Sequence, residues 1–242
     1  MKAKKHSAPM GRPRSFDADA ALDRALRVFW RKGYEGTSLS DLTQAMGINR
    51  PSLYAAFGDK DALFRRALDR YAEGPAAFMR AALKEPKARA VAERMLEGTV
   101  NLTTARHNPR GCLLVQGALC GSADAEGVRR ELSSRRNAGE KAVCLRLKRA
   151  QEEGDLAREV NVADLARYLI TVVHGIAVQA ASGVGRKQLR RVIQTALQVW
   201  PSRTDGEAKF LKGSAAELGS AAATGKTGEE VSSTLSAPTR TE

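Results

Sequence analysis

Cysteine is scarce. Cys112, Cys120 and Cys144 are the only three in 242 residues. The number is odd and no pair has CxxC spacing. Neither a disulfide framework nor a structural zinc site is expected, and a reducing cytoplasm is the expected location. Aromatic residues make up 5%, and nowhere do β-branched residues alternate with polar ones over a strand's length, so no sheet is expected. No apolar run reaches the length that crosses a bilayer. Lys2, Lys4 and Lys5 are not followed by the apolar stretch of a secretory signal. Acid is in deficit: 27 Asp and Glu face 40 Lys and Arg, a net charge of +13. An acidic polymer is therefore the expected partner, either nucleic acid or an anionic membrane surface. Catalytic patterns are missing as well. There is no P-loop, no GxGxxG, no HExxH, and no Ser or Cys nucleophile with an evident His partner. An all-helical enzyme with a basic nucleotide site is the disfavoured alternative, and no cofactor or metal is implied.

What is present suits helices. The chain is 43% hydrophobic and 28% charged, a globular balance, and rich in Ala, Leu and Arg. Residues 1–14 carry five positive charges and no negative one, with Pro9, Gly11 and Pro13 as breakers, which reads as a basic flexible arm. Helices are predicted over 17–33, 38–46 and 50–57, and a fourth from Asp59 that carries Leu63, Phe64, Ala67, Leu68 and Tyr71 on one face. Further helices are predicted near 76–84, 87–106, 111–120, 124–153, 162–182 and 186–200. Pro86, Asn108-Pro109, Gly154 and Gly183/Gly185 punctuate them. Residues 202–242 turn to Ser, Thr, Ala and Gly and are expected to form a disordered tail.

The helices at 38–46 and 50–57, joined by Gly47-Ile48-Asn49, have helix-turn-helix form. Ser38 or Ser40 can cap the first and Asn49 the second, with Pro51 at a first-turn position that tolerates its missing N–H. Gly47 suits a left-handed turn and Ile48 can plug the angle between the helices. On the second helix Leu53 and Phe57 point inward, leaving Arg50, Ser52, Tyr54 and Ala56 for a major groove. Alone, such a corner is as often mere packing.

Its surroundings carry more. Gly11-Arg12-Pro13-Arg14, Phe16-Asp17, Gly33-Tyr34, Thr37-Ser38, Leu42, Gly47-Ile48, Ser52-Leu53-Tyr54, Phe57 and Lys60-Asp61-Ala62-Leu63 follow one another in an order that resembles the TetR family of bacterial regulators. The resemblance covers about residues 11–75 closely, and the later helices only in layout. Residues 108–114 resemble one subgroup, whereas the long tail and the three early lysines depart from the usual pattern. It implies an all-α chain: an N-terminal three-helix helix-turn-helix domain over 15–75 and a larger C-terminal helical domain over 76–201 for effector binding and dimerisation. It implies a ligand-responsive regulator, most simply a repressor, that binds a near-palindromic double-stranded operator as a homodimer, is released by a small effector, and needs no membrane.

Residue roles follow by position. The resemblance gives Thr37, Tyr54 and Lys60 phosphate contacts, which suits a hydroxyl, a phenol and a helix N-terminus. Arg50 and Ser52 are the candidates for base edges. Ser38, Asn49 and Pro51 share that surface, and Arg12 and Arg14 on the arm could enter the minor groove. Leu189, Val192, Ile193, Ala196, Leu197 and Trp200 form a stripe that is core or dimer seam, and the resemblance favours the seam. His174 on an apolar helix reads as a core or interface residue. Cys112, at a helix start beside Arg110, is a candidate thiol sensor, with a small buried hydrophobe as the commoner role. The alternative effector site is a noncovalent pocket lined by Leu113, Leu114, Tyr168 and Val172.

Overall fold

The computed structural model describes residues 16–116 and 125–201. The expected arm with Arg12 and Arg14, the expected tail, and Cys120 lie outside the described residues. Ten helices and no strand occur among those described: α1 Ala18–Lys32, α2 Leu39–Met46, α3 Arg50–Phe57, α4 Lys60–Glu73, α5 Ala77–Ala82, α6 Ala88–Thr104, α7 Leu113–Gln116, α8 Glu126–Glu152, α9 Val162–Ala181 and α10 Arg186–Gln198.

Helices α1 to α4 form a head. Asp17 starts α1 by accepting from the Asp19 and Ala20 amides, at 2.9 and 3.2 Å. Gly33 ends it at a φ of 73° that side chains resist. The buried stripe Leu22, Leu26, Phe29 and Trp30 packs on α4. There Trp30 meets Tyr71 edge-on at 4.8 Å and Phe29 meets Phe64 at 4.9 Å, contacts that add about 1 kcal/mol each beyond burial. Arg70 and Asp23 close the pair with a forked ion pair at 2.7 and 3.0 Å.

Helices α5 to α10 form the larger part. α6 lies at its centre, packed on α5, α9 and α10, and α8 packs on α9. Val91, Met95, Leu147, Leu169, Ile176, Leu189 and Trp200 belong to its apolar cluster. Gly98 is a notch in α6: a Cβ there would come within 2.2 Å of the Phe78 ring. The only side chain that lets α5 lie this close is hydrogen.

The two parts are not cleanly separate. The head's cluster takes in Leu102, Leu113, Val128 and Leu132 from the larger part. Polar contacts reinforce the joint. Arg27 Nη1 donates to His107 O and Trp30 Nε1 to Gly111 O, both at 3.0 Å. Tyr71 donates its hydroxyl to Cys112 Sγ at 3.4 Å.

One expectation changes. α9 is long and apolar enough to cross a membrane by length and composition, although no such run was expected. Asp164, Arg167 and His174 interrupt it, and its Ala166, Leu169, Ile170, Val173 and Ile176 are buried against α6, α8 and α10. A core helix passes the same test of composition.

Candidate nucleic-acid interface

Local hydrogen bonds set the α2–α3 corner. Ser38 and Asp41 form a reciprocal capping box, with Asp41 N donating to Ser38 Oγ and Ser38 N donating to Asp41 Oδ2, both at 3.0 Å. Lys32 Nζ sits 2.7 Å from Asp41 Oδ1. The Lys32 and Ser38 bonds push the Asp41 carboxyl down to about 2. Gly47 then turns left-handed, at φ 69° and ψ 33°. Asn49 Oδ1 accepts from Ser52 N at 2.8 Å and starts α3. Pro51 occupies the first turn, where no N–H is needed.

Two arginines brace this corner from behind. Arg24 donates to Met46 O, at the end of α2, and Arg66 to Ala56 O, near the end of α3, both at 2.9 Å. Arg66 also lies over the Phe57 ring at 4.7 Å. Both arginines satisfy carbonyls that helix ends leave open. They lie 22 and 10 residues from what they cap, so no local sequence pattern announces them.

The outer face of α3 is small and polar. Leu53 and Phe57 are buried, while Arg50, Pro51, Tyr54 and Ala55 are exposed and Ser52 is half-buried. Ala56, expected outward, is half-buried against the head's cluster, and Ala55 takes its place. The N-termini of α3 and α4 present positive dipole ends near this face. Lys60 lies with its ammonium 4.2 Å over the Tyr34 ring, and the Tyr34 hydroxyl bonds Asp61.

Two of the expected phosphate-side hydroxyls are engaged within the head. Thr37 is 1% exposed and donates its hydroxyl to Gly33 O at 2.6 Å. Its side chain holds the α1–α2 turn. Ser38 is exposed, but its hydroxyl is engaged with Asp41.

The expected effector residues do not converge. Leu113 is fully buried in the head's cluster, with Cys112 and Leu114 beside it. Tyr168 and Val172 lie against the other cluster, and the Tyr168 hydroxyl points to Ala196 O at 3.4 Å. None of them lines the cleft of about 390 Å³ between α1, the end of α4 and Asn108, where Asp23, Arg27, Trp30, Arg70 and Glu73 are found. The helix that Cys112 was expected to open is a single described turn, Leu113–Gln116. Tyr71, wholly buried, has its own proton held well above the usual range by burial and by Cys112.

Comparison with known proteins agrees with this geometry. Residues 21–67 match the model for bacterial regulatory proteins of the tetR family. Residues 86–197 match that for a tetracyclin repressor-like C-terminal domain. The HTH-type transcriptional repressor ComR of Escherichia coli K12 is 35% identical over 193 residues, which cover 79% of this chain and 92% of ComR. The repressor BdcR of the same organism is 46% identical over 71 residues, 29% of this chain and 36% of its own. A solved structure of the TetR family regulator CifR, a cysteine mutant complexed with 26-bp double-strand operator DNA, superposes with a TM-score of 0.76. It is 44% identical and covers 79% of this chain and all of that one. Two family domains in the expected order, with ComR and CifR matched over nearly their whole length, leave one assignment: the chain belongs to the TetR family of bacterial, DNA-binding transcriptional regulators.

Proposed function

We propose that this chain is a repressor that binds a near-palindromic operator as a homodimer and lets go when a small effector binds its larger helical part. The observation that carries the reading is the α3 face. A helix capped at its start and braced at its end turns Arg50, Ser52, Tyr54 and Ala55 outward, a face with two polar or small residues beside one ring and one guanidinium that a major groove can admit. Arg50 and Ser52 read bases, while Tyr54, Lys60 and the Asn49-Pro51 turn meet phosphates. Arg12 and Arg14 extend the contact into the minor groove. ComR and BdcR, named as repressors, and CifR, solved with operator DNA, support the same reading. Footprinting on the DNA upstream of the protein's own coding region tests it. A protected, two-fold symmetric site with half-sites one DNA turn apart, or a multiple of it, is the expected result; no protection at low salt refutes it.

The α9 and α10 surfaces support the dimer reading. Thr171, Gly175 and Val178 on α9, Val192 and Thr195 on α10, and Val199 just past its end are exposed at helical spacing. Of the expected stripe, Leu189, Ile193, Ala196 and Trp200 are instead buried in this chain's own core. Cys112 remains the candidate sensor on one specific ground: its sulfur touches Tyr71 of α4, so an adduct there pushes on the head directly. Gel shifts with an alkylating agent should release the wild type and spare Cys112→Ser. Equal behaviour of the two leaves the noncovalent effector.

A further inference from the structure

The cleft at the joint between the head and the larger part holds about 390 Å³, within the range of small-ligand sites. One wall is α1, a second is the end of α4 with Pro75 behind it, and Asn108 of the loop after α6 contributes a third. Leu26, Trp30 and Pro75 supply its apolar lining. Trp30 already spends its N–H on Gly111 O at 3.0 Å, so it offers the cleft only ring carbon. Four ionised side chains share the lining, two of each sign. Arg70 grips both carboxylate oxygens of Asp23, at 2.7 and 3.0 Å, and that pair is complete. Arg27 donates to a carbonyl, His107 O at 3.0 Å, which leaves its charge unmatched. Glu73 is exposed and makes no hydrogen bond or ion pair among the described residues. Arg27 stands one turn past Asp23 on α1, and Glu73 one turn past Arg70 on α4, so both lie beside the closed pair.

The cleft thus presents one unmatched charge of each sign beside an apolar wall. A ligand of a single charge would leave one of the two without a partner as it strips water from both. A molecule that carries both charges answers both. We propose that this cleft binds a small zwitterion with an apolar body, of the amino-acid class, its carboxylate on Arg27, its ammonium on Glu73 and its body on Leu26, Trp30 and Pro75. The guanidinium fork matches a carboxylate, and hydrogen bonds between ionised groups are the stronger kind. An occupant touches α1 and α4 of the head and, at Asn108, the loop whose His107 and Gly111 carbonyls hold α1. It therefore bridges the joint. The site does not rest on the operator reading, because its test reads the free protein.

The full chain is titrated calorimetrically with L-phenylalanine, with phenethylamine, which lacks the carboxylate, and with phenylpropionate, which lacks the ammonium. Saturable binding of L-phenylalanine is expected, with each truncated probe about tenfold weaker, as for one lost bond to a charged group. Glu73→Gln should weaken L-phenylalanine by about tenfold and leave phenylpropionate as it was. Arg27→Gln should weaken L-phenylalanine as much and leave phenethylamine as it was. Glu152→Gln, at an exposed position of α8 outside the cleft, should change nothing. Should Arg27→Gln not fold, Glu73→Gln decides alone, because Glu73 is exposed at a helix end. No saturable binding of L-phenylalanine overturns the proposal. So does equal binding of a truncated probe, or an unchanged L-phenylalanine affinity in Glu73→Gln, since either means that the charges of the cleft select nothing.

Discussion

Tyr54 is 49% exposed, the rare large ring left in solvent on an otherwise compact helix face. Its hydroxyl is worth keeping there if it meets a phosphate. Tyr54→Phe should therefore cost about 1 kcal/mol of DNA affinity, equally across operator sequences. Fluorescence anisotropy on a cognate and a scrambled duplex checks this, and a changed preference without a general loss contradicts it. Thr37 makes the complementary case. Position alone gives it a phosphate, but its hydroxyl is spent on Gly33 O inside the head. Thr37→Val should thus lower stability by about 1 kcal/mol, the worth of one buried hydrogen bond. Any loss of affinity should vanish at temperatures where the variant is fully folded. Denaturant melts beside binding isotherms tell the two apart.

Between elements, Phe78 of α5 packs tightly into the Gly98 notch of α6. Gly98→Ala gains helix propensity of about 1 kcal/mol but drives a methyl into the ring. Overpacking of this kind costs about 1–3 kcal/mol, so the unfolding midpoint should fall, and Gly98→Ala with Phe78→Leu should recover part of the loss. A midpoint that rises in the single variant would show that α5 yields freely. Such a notch is invisible in sequence, because Gly98 sits in a regular helical pattern and its reason lies 20 residues away. Helix bounds, by contrast, were legible to about two residues outside α7. They are set by short-range bonds: Asp17, Ser38, Asn49 and Asp59 cap helices two or three residues ahead, and Gly47 turns where its φ demands. The α3 face was legible for the same reason, except that Ala55 and Ala56 exchanged roles when α3 settled on the head. The effector residues were not. Cys112 to Leu114 and Tyr168 to Val172 lie more than 50 residues apart, and apolar character alone placed them together when packing assigns them to different clusters.

For the molecule as a whole, acid should weaken the fold in two stages. Burial lowers the His174 value from 6.5, with Arg136 helping and Glu140 opposing. The unfolded chain then takes up that proton first, so stability falls as pH drops below 6.5 and levels once the folded form is protonated too. Asp41 adds a second stage: its stabilisation is whole above 3.8 and is lost as pH falls toward about 2. His174→Gln should flatten the first stage and leave the second, which denaturant midpoints across the range would show. Assembly is a separate matter, because the residues proposed for the seam are exposed in the single chain. Val178 and Val192 are 50% and 46% exposed, so glutamate at either costs the protomer's own core little. Two glutamates facing their copies across a two-fold seam would repel and be stripped of water. Val178→Glu with Val192→Glu should sediment as a monomer with unchanged helical content. The wild type's unfolding midpoint should rise with protein concentration, as linkage requires of a dimer, and the variant's should not. Binding to a full operator should collapse toward that of a single half-site, since two linked heads gain from each other's presence and one head cannot. A double variant that stays dimeric, with its midpoint still rising with concentration, would place the seam elsewhere than on α9 and α10.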